Sequence, residues 1–378
     1  MNVEAFLDEV RADAAYAEQI VHLRAEPARS ARYAACPPAL GAAARRALAA
    51  AGVDRLYSHQ AEAIERVAAG EDVLVATGTA SGKSLCYALP LVERLARRPE
   101  ARALLVFPTK ALCQDQLRSI ARLLEAAGLA DRLAGVYDGD TPASLRRRLR
   151  DRAAVVLTNP DMLHAALMPQ HARWAGFLSR LELLVLDELH VYSGIFGANM
   201  AFLLRRLQRA CQHYGARPQV IACSATVGNP QHLAARLLGR PVPVMDEDGS
   251  PRGRRVYAFW NPPRVRQGGW RSRRSANVEA HELMARLIET GSPTITFSKA
   301  KMTAEMIHRY AVERLRQRAP HLAGKVTPYR GGYLPEERRE IERRLFSGEL
   351  VGVSTTAALE LGIDVGTLEA CIIVGYPG

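Results

Sequence analysis

The stretch Thr77-Gly-Thr-Ala-Ser-Gly-Lys-Ser84 determines how the rest of the chain is interpreted. It follows a short apolar run, residues 73–76, and precedes an amphipathic segment, residues 85–95. This order predicts a strand, a glycine-rich loop and a helix, the arrangement of a phosphate-binding loop. The backbone N–H groups of such a loop and the positive end of the helix form a cradle for phosphate oxygens. The stretch therefore predicts a site for a nucleoside triphosphate.

Residue types within the stretch match the parts of that site. Lys83 can place a positive charge at the β- and γ-phosphates, and the Ser84 hydroxyl can bind Mg²⁺. The positions expected to line the nucleotide are Thr79, Ala80, Ser81, Gly82, Lys83 and Ser84. Thr77 departs from the usual pattern, which has glycine at the first position.

Length and composition indicate a globular protein of the cytoplasm. The 378 residues suggest two or three domains. No apolar run approaches the roughly 18 residues of a membrane span. The N-terminal segment is acidic and amphipathic, unlike a secretory signal. The six cysteines show no C-x-x-C pairing, which argues against a zinc site within this chain. The sequence leaves the oligomeric state open.

The charge balance is strongly basic, with a formal net charge of +12. Arginines cluster at residues 146–150, 271–274 and 338–344. A basic balance favours a polyanionic partner such as nucleic acid. The alternative is that these arginines form ordinary solvated faces.

Short β-branched or leucine-rich runs alternate with longer helical patterns. This alternation predicts an α/β fold with mostly parallel sheets flanked by helices. We predict strands at residues 73–76, 103–107, 135–137, 154–157, 183–186 and 220–223, and later at 294–297, 351–354 and 370–374. The expected organisation is a helical extension (1–50), a first domain (51–245), a linker rich in polar residues, proline and glycine (246–276) and a second domain (277–378).

A pair of carboxylates follows the predicted strand 183–186. The carboxyl end of a buried parallel strand lies at the ligand-binding edge of a sheet. There Asp187 can hold Mg²⁺ through water, and Glu188 can orient or deprotonate an attacking water. The alternative is that Asp187 only caps a helix.

Other polar segments also follow predicted strands, and each alone is typical of a turn. Ser224-Ala-Thr226 is one such segment. Side chains at helix N-termini can also bind a nucleic-acid backbone. The candidates of this kind are Thr109, Lys110, Thr158 and Asn159. Gln60, upstream of the loop, can contact an adenine edge through its amide or be a surface residue.

The ordered set TGTASGKS, FPTKAL, YDGDTP, TNPDML, DELH, SAT and STTAALELGIDVG resembles the superfamily 2 helicases. The chain looks most similar to the DExH branch that includes the mitomycin-repair-factor helicases and the RecQ4-like helicases. The segments LYSHQAEAI, DELHVYSGIFGAN and YRGGYLPEERREIE strengthen that likeness, which extends from about Ile20 to the last residue.

The resemblance implies two RecA-like domains with ATP and Mg²⁺ bound in the cleft between them. It implies a DNA helicase with 3′-to-5′ polarity and a role in DNA repair, with single-stranded nucleic acid as the partner. By position in the motifs, the resemblance implies that Gln60 contacts adenine, that the catalytic residues are Lys83, Asp187, Glu188 and His190, and that Ser84 and Asp187 hold the metal. It implies that Ser224 and Thr226 couple hydrolysis to domain movement, and that Gly362 and Asp364 face the nucleotide from the second domain. The residues that it implies for nucleic-acid binding are Thr109, Lys110, Thr158, Asn159, Tyr329 and Arg330.

Two features of the family are expected beyond the last residue. Superfamily 2 helicases carry a final Q-x-x-G-R-x-G-R motif, and this branch also carries a cysteine-rich zinc module; the sequence stops at Gly378 before either. We therefore expect a second domain that is incomplete at its C-terminus. Two alternatives to a DNA helicase stay open, an RNA helicase or remodeller, and a nucleotide- and nucleic-acid-binding module with little turnover.

Overall fold

The structure is a computed structural model that describes residues 3–267, 270–359 and 368–375. The chain divides into two compact units. One unit is Ala28–Gly253, and the other combines the described residues of Met1–Pro27 and Arg254–Gly378. Among the described residues, no helix is both long enough and apolar enough to cross a lipid bilayer.

Several helices begin where a side chain or a proline suits the first turn. The side chains of Thr109, Asn159, Asn229 and Ser275 each accept a hydrogen bond from a first-turn N–H group. The helices are α1 Val3–Ala12, α2 Ala42–Ala50, α3 Ser58–Ala68, α4 Ser84–Arg97, α5 Lys110–Ala126, α6 Ala143–Arg152, α7 Pro160–Met162, α8 Ala175–Leu178, α9 Gly194–His213, α10 Pro230–Leu238, α11 Ala276–Glu289, α12 Lys301–Arg318, α13 Pro320–Ala323 and α14 Pro335–Phe346.

The strands are short, and those of the two main sheets are rich in β-branched and leucine side chains. They are β1 Ile20–Glu26, β2 Tyr33–Ala34, β3 Leu56–Tyr57, β4 Val73–Ala76, β5 Arg102–Val106, β6 Ala134–Val136, β7 Val155–Thr158, β8 Leu181–Leu186, β9 Gln219–Ser224, β10 Val244–Met245, β11 Arg255–Trp260, β12 Arg264–Gln267, β13 Trp270–Arg273, β14 Thr294–Phe297, β15 Val326–Tyr329, β16 Gly352–Thr355 and β17 Ala370–Ile373.

The unit Ala28–Gly253 is built on a parallel sheet of seven strands in the order β10-β4-β9-β8-β5-β7-β6. Alternate residues of each strand enter two separate cores. In β4, Val73 and Val75 pack with helices α2 to α5, whereas Leu74 and Ala76 pack in the core that contains α9 and α10. Because helices cover both faces, the carboxyl edge of the sheet is the region where loops meet.

The other unit contains a parallel sheet of four strands in the order β15-β16-β14-β17. Helices α11 and α12 pack with β15 in one core. In a second core, Leu345 of α14 and Leu350, which follows it, pack with side chains of β14, β15 and β16. Strand β1 pairs antiparallel with β11, and side chains of this ribbon pack with α1 and α11.

These observations confirm the predicted fold class of two parallel sheets flanked by helices. The helical extension predicted over residues 1–50 contains α1 and α2, but strands β1 and β2 also lie there, so this segment is not helical throughout. Strands β11, β12 and β13 lie in the predicted linker, 246–276. Strand β1 was not predicted from the sequence, because its partner β11 is more than 200 residues away.

Strand β15 was not predicted because Pro328 interrupts its pattern. Proline removes a backbone donor and argues against a central strand. In the structure β15 lies at the edge of the four-stranded sheet and pairs, among the described strands, with β16 alone, so one side of β15 tolerates the missing proline donor.

Candidate nucleotide site and nucleic-acid interface

The phosphate loop is the turn between β4 and α4. Ala80 and Gly82 have φ angles of +58° and +74°, in the left-handed region that favours glycine. A Cβ atom on Gly82 would lie 2.5 Å from Gln60 Nε2. Left-handed residues of this kind occur in backbone nests that bind anions. The loop backbone therefore fits a chain of phosphates.

Side chains also hold the loop closed. Lys83 Nζ donates to the carbonyl oxygens of Thr77 at 3.1 Å and Gly78 at 2.6 Å. The buried hydroxyls of Thr77 and Ser81 form a hydrogen bond of 2.7 Å. Thr77, which replaces the usual glycine, thus joins the two ends of the loop through its side chain.

Gln60 lies directly against the loop and is 2% exposed. Its Nε2 donates to the Gly82 carbonyl at 2.9 Å, and its Oε1 accepts from the Tyr57 N–H at 2.9 Å. These bonds place the amide beside the phosphate loop and fix it at the start of α3. The predicted role of Gln60 in contacting adenine stays a prediction.

Asp187 and Glu188 follow β8 at the same edge of the sheet. Asp187 is buried, and its Oδ1 accepts from the Glu188 N–H at 2.8 Å. Burial, with the neighbouring charge of Glu188, raises the pKa of Asp187 to about 6. Burial also raises the pKa of Glu188. Glu188 has a φ of +52°, which turns the chain sharply after the strand.

Helix α4 reaches Asp187 through a tyrosine that the sequence analysis did not select. The Tyr87 hydroxyl lies 3.2 Å from Asp187 Oδ2 and 2.9 Å from Gln116 Oε1. Tyr87 lies one turn after Ser84, on the same face of the helix. The contact therefore shows that the face of α4 that carries Ser84 is directed to Asp187. Nothing in the local sequence distinguishes Tyr87 from a core residue.

His190 connects the loops that follow β8 and β9. Its Nδ1 accepts from the Ala225 N–H at 3.2 Å and lies 3.3 Å from Glu188 Oε2. A ring nitrogen that accepts an N–H bond carries no proton, so it cannot also donate to the carboxylate. Ser224, just before this contact, is buried with a hydroxyl that has no partner among the described residues, and Thr226 is exposed.

The strand order brings the predicted nucleotide residues together. The loops after β4, β9 and β8 are neighbours along one half of the carboxyl edge, and those after β5 and β7 lie along the other half. Thus one sheet edge of this unit carries the phosphate loop, Asp187 and Glu188 as well as the first four predicted nucleic-acid residues.

Those four residues differ in exposure. Lys110 is exposed, and its Nζ lies 2.9 Å from Asp140 Oδ2. Thr109 caps α5, and Asn159 caps α7 through a bond of 2.9 Å from the Met162 N–H. The buried Thr158 hydroxyl donates to the Tyr137 carbonyl at 2.7 Å. Lys110 is therefore the side chain of this set best placed to meet a phosphate from solvent.

In the other unit, the Tyr329 hydroxyl donates to Glu342 Oε1 at 2.6 Å, and the ring is buried. Arg330 Nε lies 2.6 Å from Glu305 Oε1. Their predicted nucleic-acid contacts stay predictions. Gly362 and Asp364 lie outside the described residues.

Two family comparisons cover most of the chain. Residues 57–233 match the DEAD/DEAH box helicase family, and residues 279–378 match the helicase conserved C-terminal domain. These two ranges contain the phosphate loop, the Asp187-Glu188 pair and the four-stranded sheet.

Individual relatives extend that likeness. The chain is 40% identical over 372 residues to the uncharacterized ATP-dependent helicase YprA of Bacillus subtilis, covering 98% of the chain and 49% of the relative. It is 37% identical to the ATP-dependent helicase hrq1 of Schizosaccharomyces pombe, covering 100% of the chain and 36% of the relative. The chain thus spans about half or less of the length of these curated relatives.

Solved structures of a helicase are also similar to this chain. The crystal structure of the DUF1998 helicase MrfA bound to DNA has a TM-score of 0.90 and 40% identity, covering 98% of this chain and 49% of MrfA. MrfA bound to DNA and AMPPNP has a TM-score of 0.89, with 98% of this chain and 51% of MrfA covered.

Proposed function

Because the chain belongs to the DEAD/DEAH helicases of superfamily 2, we propose that it is the core of an ATP-dependent helicase or translocase that acts on DNA. The observation that carries the proposal is the shared carboxyl edge of the seven-stranded sheet, where the phosphate loop, Asp187 and Glu188 lie on neighbouring strands. The DNA and AMPPNP in the MrfA crystal structures support this choice of ligands.

The phosphate loop is suited to hold the triphosphate. Its N–H groups and the start of α4 provide positive potential for phosphate oxygens. Lys83, which donates to the Thr77 and Gly78 carbonyls, can redirect its ammonium group to a phosphate without leaving the loop. When bound there, ATP would supply the phosphoanhydride bond, and Mg²⁺ would supply positive charge to its phosphates.

Ser84 and Asp187 provide the oxygen donors that Mg²⁺ prefers. Tyr87, on the same helix face as Ser84, is already in contact with Asp187. Burial and the charge of Glu188 raise the pKa of Asp187 although Lys83 opposes the shift, and a bound divalent ion would favour the ionised carboxylate. The residues present therefore fit a magnesium site.

Glu188 is the residue best suited to act as a base toward water. Burial raises the pKa of its carboxylate, which makes it a better proton acceptor than a solvated glutamate. Lys83 is the main charge that opposes this shift. Glu188 also lies beside His190, whose bond to the Ala225 N–H leads to the Ser224 region. This chain of contacts is a route by which hydrolysis can affect the loop after β9.

DNA would bind along the half of the sheet edge formed by the loops after β5 and β7. Lys110 provides an exposed cation there, and the net charge of +12 favours a polyanion. We further propose 3′-to-5′ movement and a role in DNA repair, which rest on the family likeness of the motifs.

The test is a pair of matched lysine variants in which ATP hydrolysis is measured with and without single-stranded DNA. Lys83→Ala should reduce ATP hydrolysis by at least about 100-fold, because it removes the positive charge that stabilises the negative charge developing on the phosphate. Lys110→Ala should retain hydrolysis in the absence of DNA but need more DNA for stimulation. Equal hydrolysis by the wild-type protein and Lys83→Ala would contradict the proposal.

Substrate class is tested with DNA and RNA strands of the same sequence and length. We expect stronger stimulation by DNA. Stronger stimulation by RNA would replace the DNA assignment with an RNA helicase or remodeller on the same fold.

A further inference from the structure

His59 is a buried histidine with a polar partner on each side. It lies one residue before Gln60 in α3 and is 1% exposed. Its Nδ1 accepts from the Gly249 N–H at 3.2 Å, and its Nε2 lies 3.1 Å from the Ser81 carbonyl oxygen. Because Nδ1 accepts, the ring proton is on Nε2, which donates to Ser81. The imidazole therefore joins the phosphate loop to Gly249.

The burial of His59 suits this use of both nitrogens. Burial lowers the pKa of the imidazole, although the charge of Asp248 opposes the shift. A neutral imidazole has one donor and one acceptor, and both are used here.

Gly249 belongs to residues 246–250, which we call the bridge segment. This segment follows β10, and the chain leaves the unit after Gly253. The Gly249 carbonyl accepts from the Arg32 N–H at 2.8 Å. A Cβ atom on Gly249 would collide with Ser58 Oγ and lie 2.9 Å from the Arg32 carbonyl oxygen. The bridge segment therefore packs so closely against the start of α3 that only glycine fits.

A second contact brings the bridge segment to the other end of the loop. Asp248 Oδ2 would lie 3.2 Å from a Cβ atom on Gly78. Asp248 is held by Arg29 at 2.9 Å and by the Ser250 N–H at 2.8 Å. The bridge segment thus lies against the loop at Gly78 and is joined to it at Ser81 through His59.

We propose that His59 is a positioning residue that couples the phosphate loop to the bridge segment. Nucleotide binding that reorders the loop is then transmitted, through the Ser81 and Gly249 hydrogen bonds, to the chain that continues into the other unit. This inference rests on the proposed binding of a nucleotide by the loop.

The experiment measures amide hydrogen exchange of the peptide covering residues 246–253, with and without AMPPNP and Mg²⁺. In the wild-type protein we expect AMPPNP to slow exchange about five-fold or more, the lower range of typical coupling between sites. His59→Asn keeps an acceptor near Nδ1, and His59→Gln keeps a donor near Nε2, so each retains one side of the bridge. Both should reduce the slowing to less than about two-fold, because coupling requires both bonds.

Gly249→Ala perturbs the same bridge from the other side and leaves the imidazole in place. In this variant, too, AMPPNP should no longer slow the amide exchange of residues 246–253. Because coupling is reciprocal, all three variants should also bind AMPPNP about five-fold more weakly than the wild-type protein. His59→Gln combined with Gly249→Ala should bind no more weakly than either single variant, since both remove one interaction. Gly253→Ala is the matched control, because no neighbouring atom of the described residues lies within 4 Å of its added Cβ.

Circular dichroism checks that each variant folds, and if His59→Gln does not, Gly249→Ala provides the same comparison. Wild-type slowing in a folded Gly249→Ala or His59→Gln protein would overturn the coupling, as would additive losses in the double variant. If the wild-type protein does not bind AMPPNP, the proposed function fails and the coupling with it. If the wild-type protein binds AMPPNP but the exchange of residues 246–253 does not change, the coupling is contradicted and the proposed function is not.

Discussion

At the scale of the residue, the burial of Asp187, a proposed metal-binding position, opposes stability at neutral pH. Its carboxylate is 7% exposed, and burial with the charge of Glu188 raises its pKa from 3.8 to about 6. The folded protein therefore favours the protonated form. This contribution to stability is fully present below pH 3.8 and is lost as the pH rises through about 6. At neutral pH the ionised group destabilises the fold until a cation binds.

Asp187→Asn should consequently stabilise the protein at pH 7.5 in the absence of divalent cations. The difference between the two pKa values corresponds to at most about 3 kcal/mol in the free energy of unfolding. The gain should shrink at pH 4.5, where the aspartic acid is largely neutral. Denaturant unfolding at both pH values measures this. Asp54→Asn, at an exposed position, is the control, and an equal gain at both pH values would contradict the prediction.

Tyr87 and Tyr192 form a matched pair of buried tyrosines near Asp187. The Tyr87 hydroxyl contacts Asp187 Oδ2, whereas the Tyr192 hydroxyl has no partner among the described residues. Tyr87→Phe should raise the Mg²⁺ concentration for half-maximal ATP hydrolysis by roughly 10-fold, as is typical when a group behind a metal ligand is lost. Tyr192→Phe should change it little. A metal titration of hydrolysis tests both, and identical effects would argue against orientation of Asp187 by Tyr87.

At the scale of the element, glycines set how closely helices approach the site. Gly197 lies in the first turn of α9, directly after the turn that contains Glu188 and His190. A Cβ atom on Gly197 would collide with the backbone carbonyl of Tyr192. Because backbone atoms cannot rotate away as a side chain does, α9 can start at this position only with glycine.

Gly197→Ala should therefore destabilise the protein by about 1–3 kcal/mol, the usual range for overpacking. It should also slow ATP hydrolysis, because the turn after Glu188 must move. Gly176→Ala, in α8, is the control, since its added Cβ has no neighbouring atom within 4 Å in the part of the chain that the structure describes. That variant should be neutral or more stable by up to about 1 kcal/mol. Thermal unfolding and ATP hydrolysis of both variants check the result.

At the scale of the whole molecule, charge is the dominant feature. The net charge of +12 is large, and several ion pairs among the described residues, such as Arg32–Glu247, Arg118–Asp115 and Arg343–Glu340, are exposed on both sides and contribute little to stability. This excess of arginine and lysine is thus better explained by attraction of a polyanion than by stabilisation of the fold.

Binding of single-stranded DNA should depend steeply on salt. With six to ten phosphate contacts, a plot of log affinity against log salt concentration should have a slope of about −4 to −7. Lys110→Ala should make that slope shallower by about one, because one phosphate contact is lost. Fluorescence anisotropy with a labelled strand between 50 and 200 mM salt, roughly the range over which such effects are large, measures both slopes. A slope near zero would contradict binding through phosphates.

Local sequence determined the elements whose signals lie within a few residues. The strand, glycine loop and helix around Lys83 could be predicted because the backbone requirements of the loop are met by adjacent residues. The same holds for Asp187 and Glu188 at the end of a buried strand. The alternation of strands and helices was sufficient for the fold class, since each strand carries its own hydrophobic pattern.

Only the tertiary structure decided which distant residues meet. His59 and Gly249 are 190 positions apart, and Tyr87 and Asp187 are 100 apart. Both contacts depend on the order of strands in the sheet and on the packing of α3 and α4, which no local pattern encodes. For the same reason β1 was not predicted, because the whole unit Ala28–Gly253 separates it in sequence from its partner β11. The sequence by itself therefore determined the parts of the proposed nucleotide site, whereas the connections between those parts arise only when the chain folds.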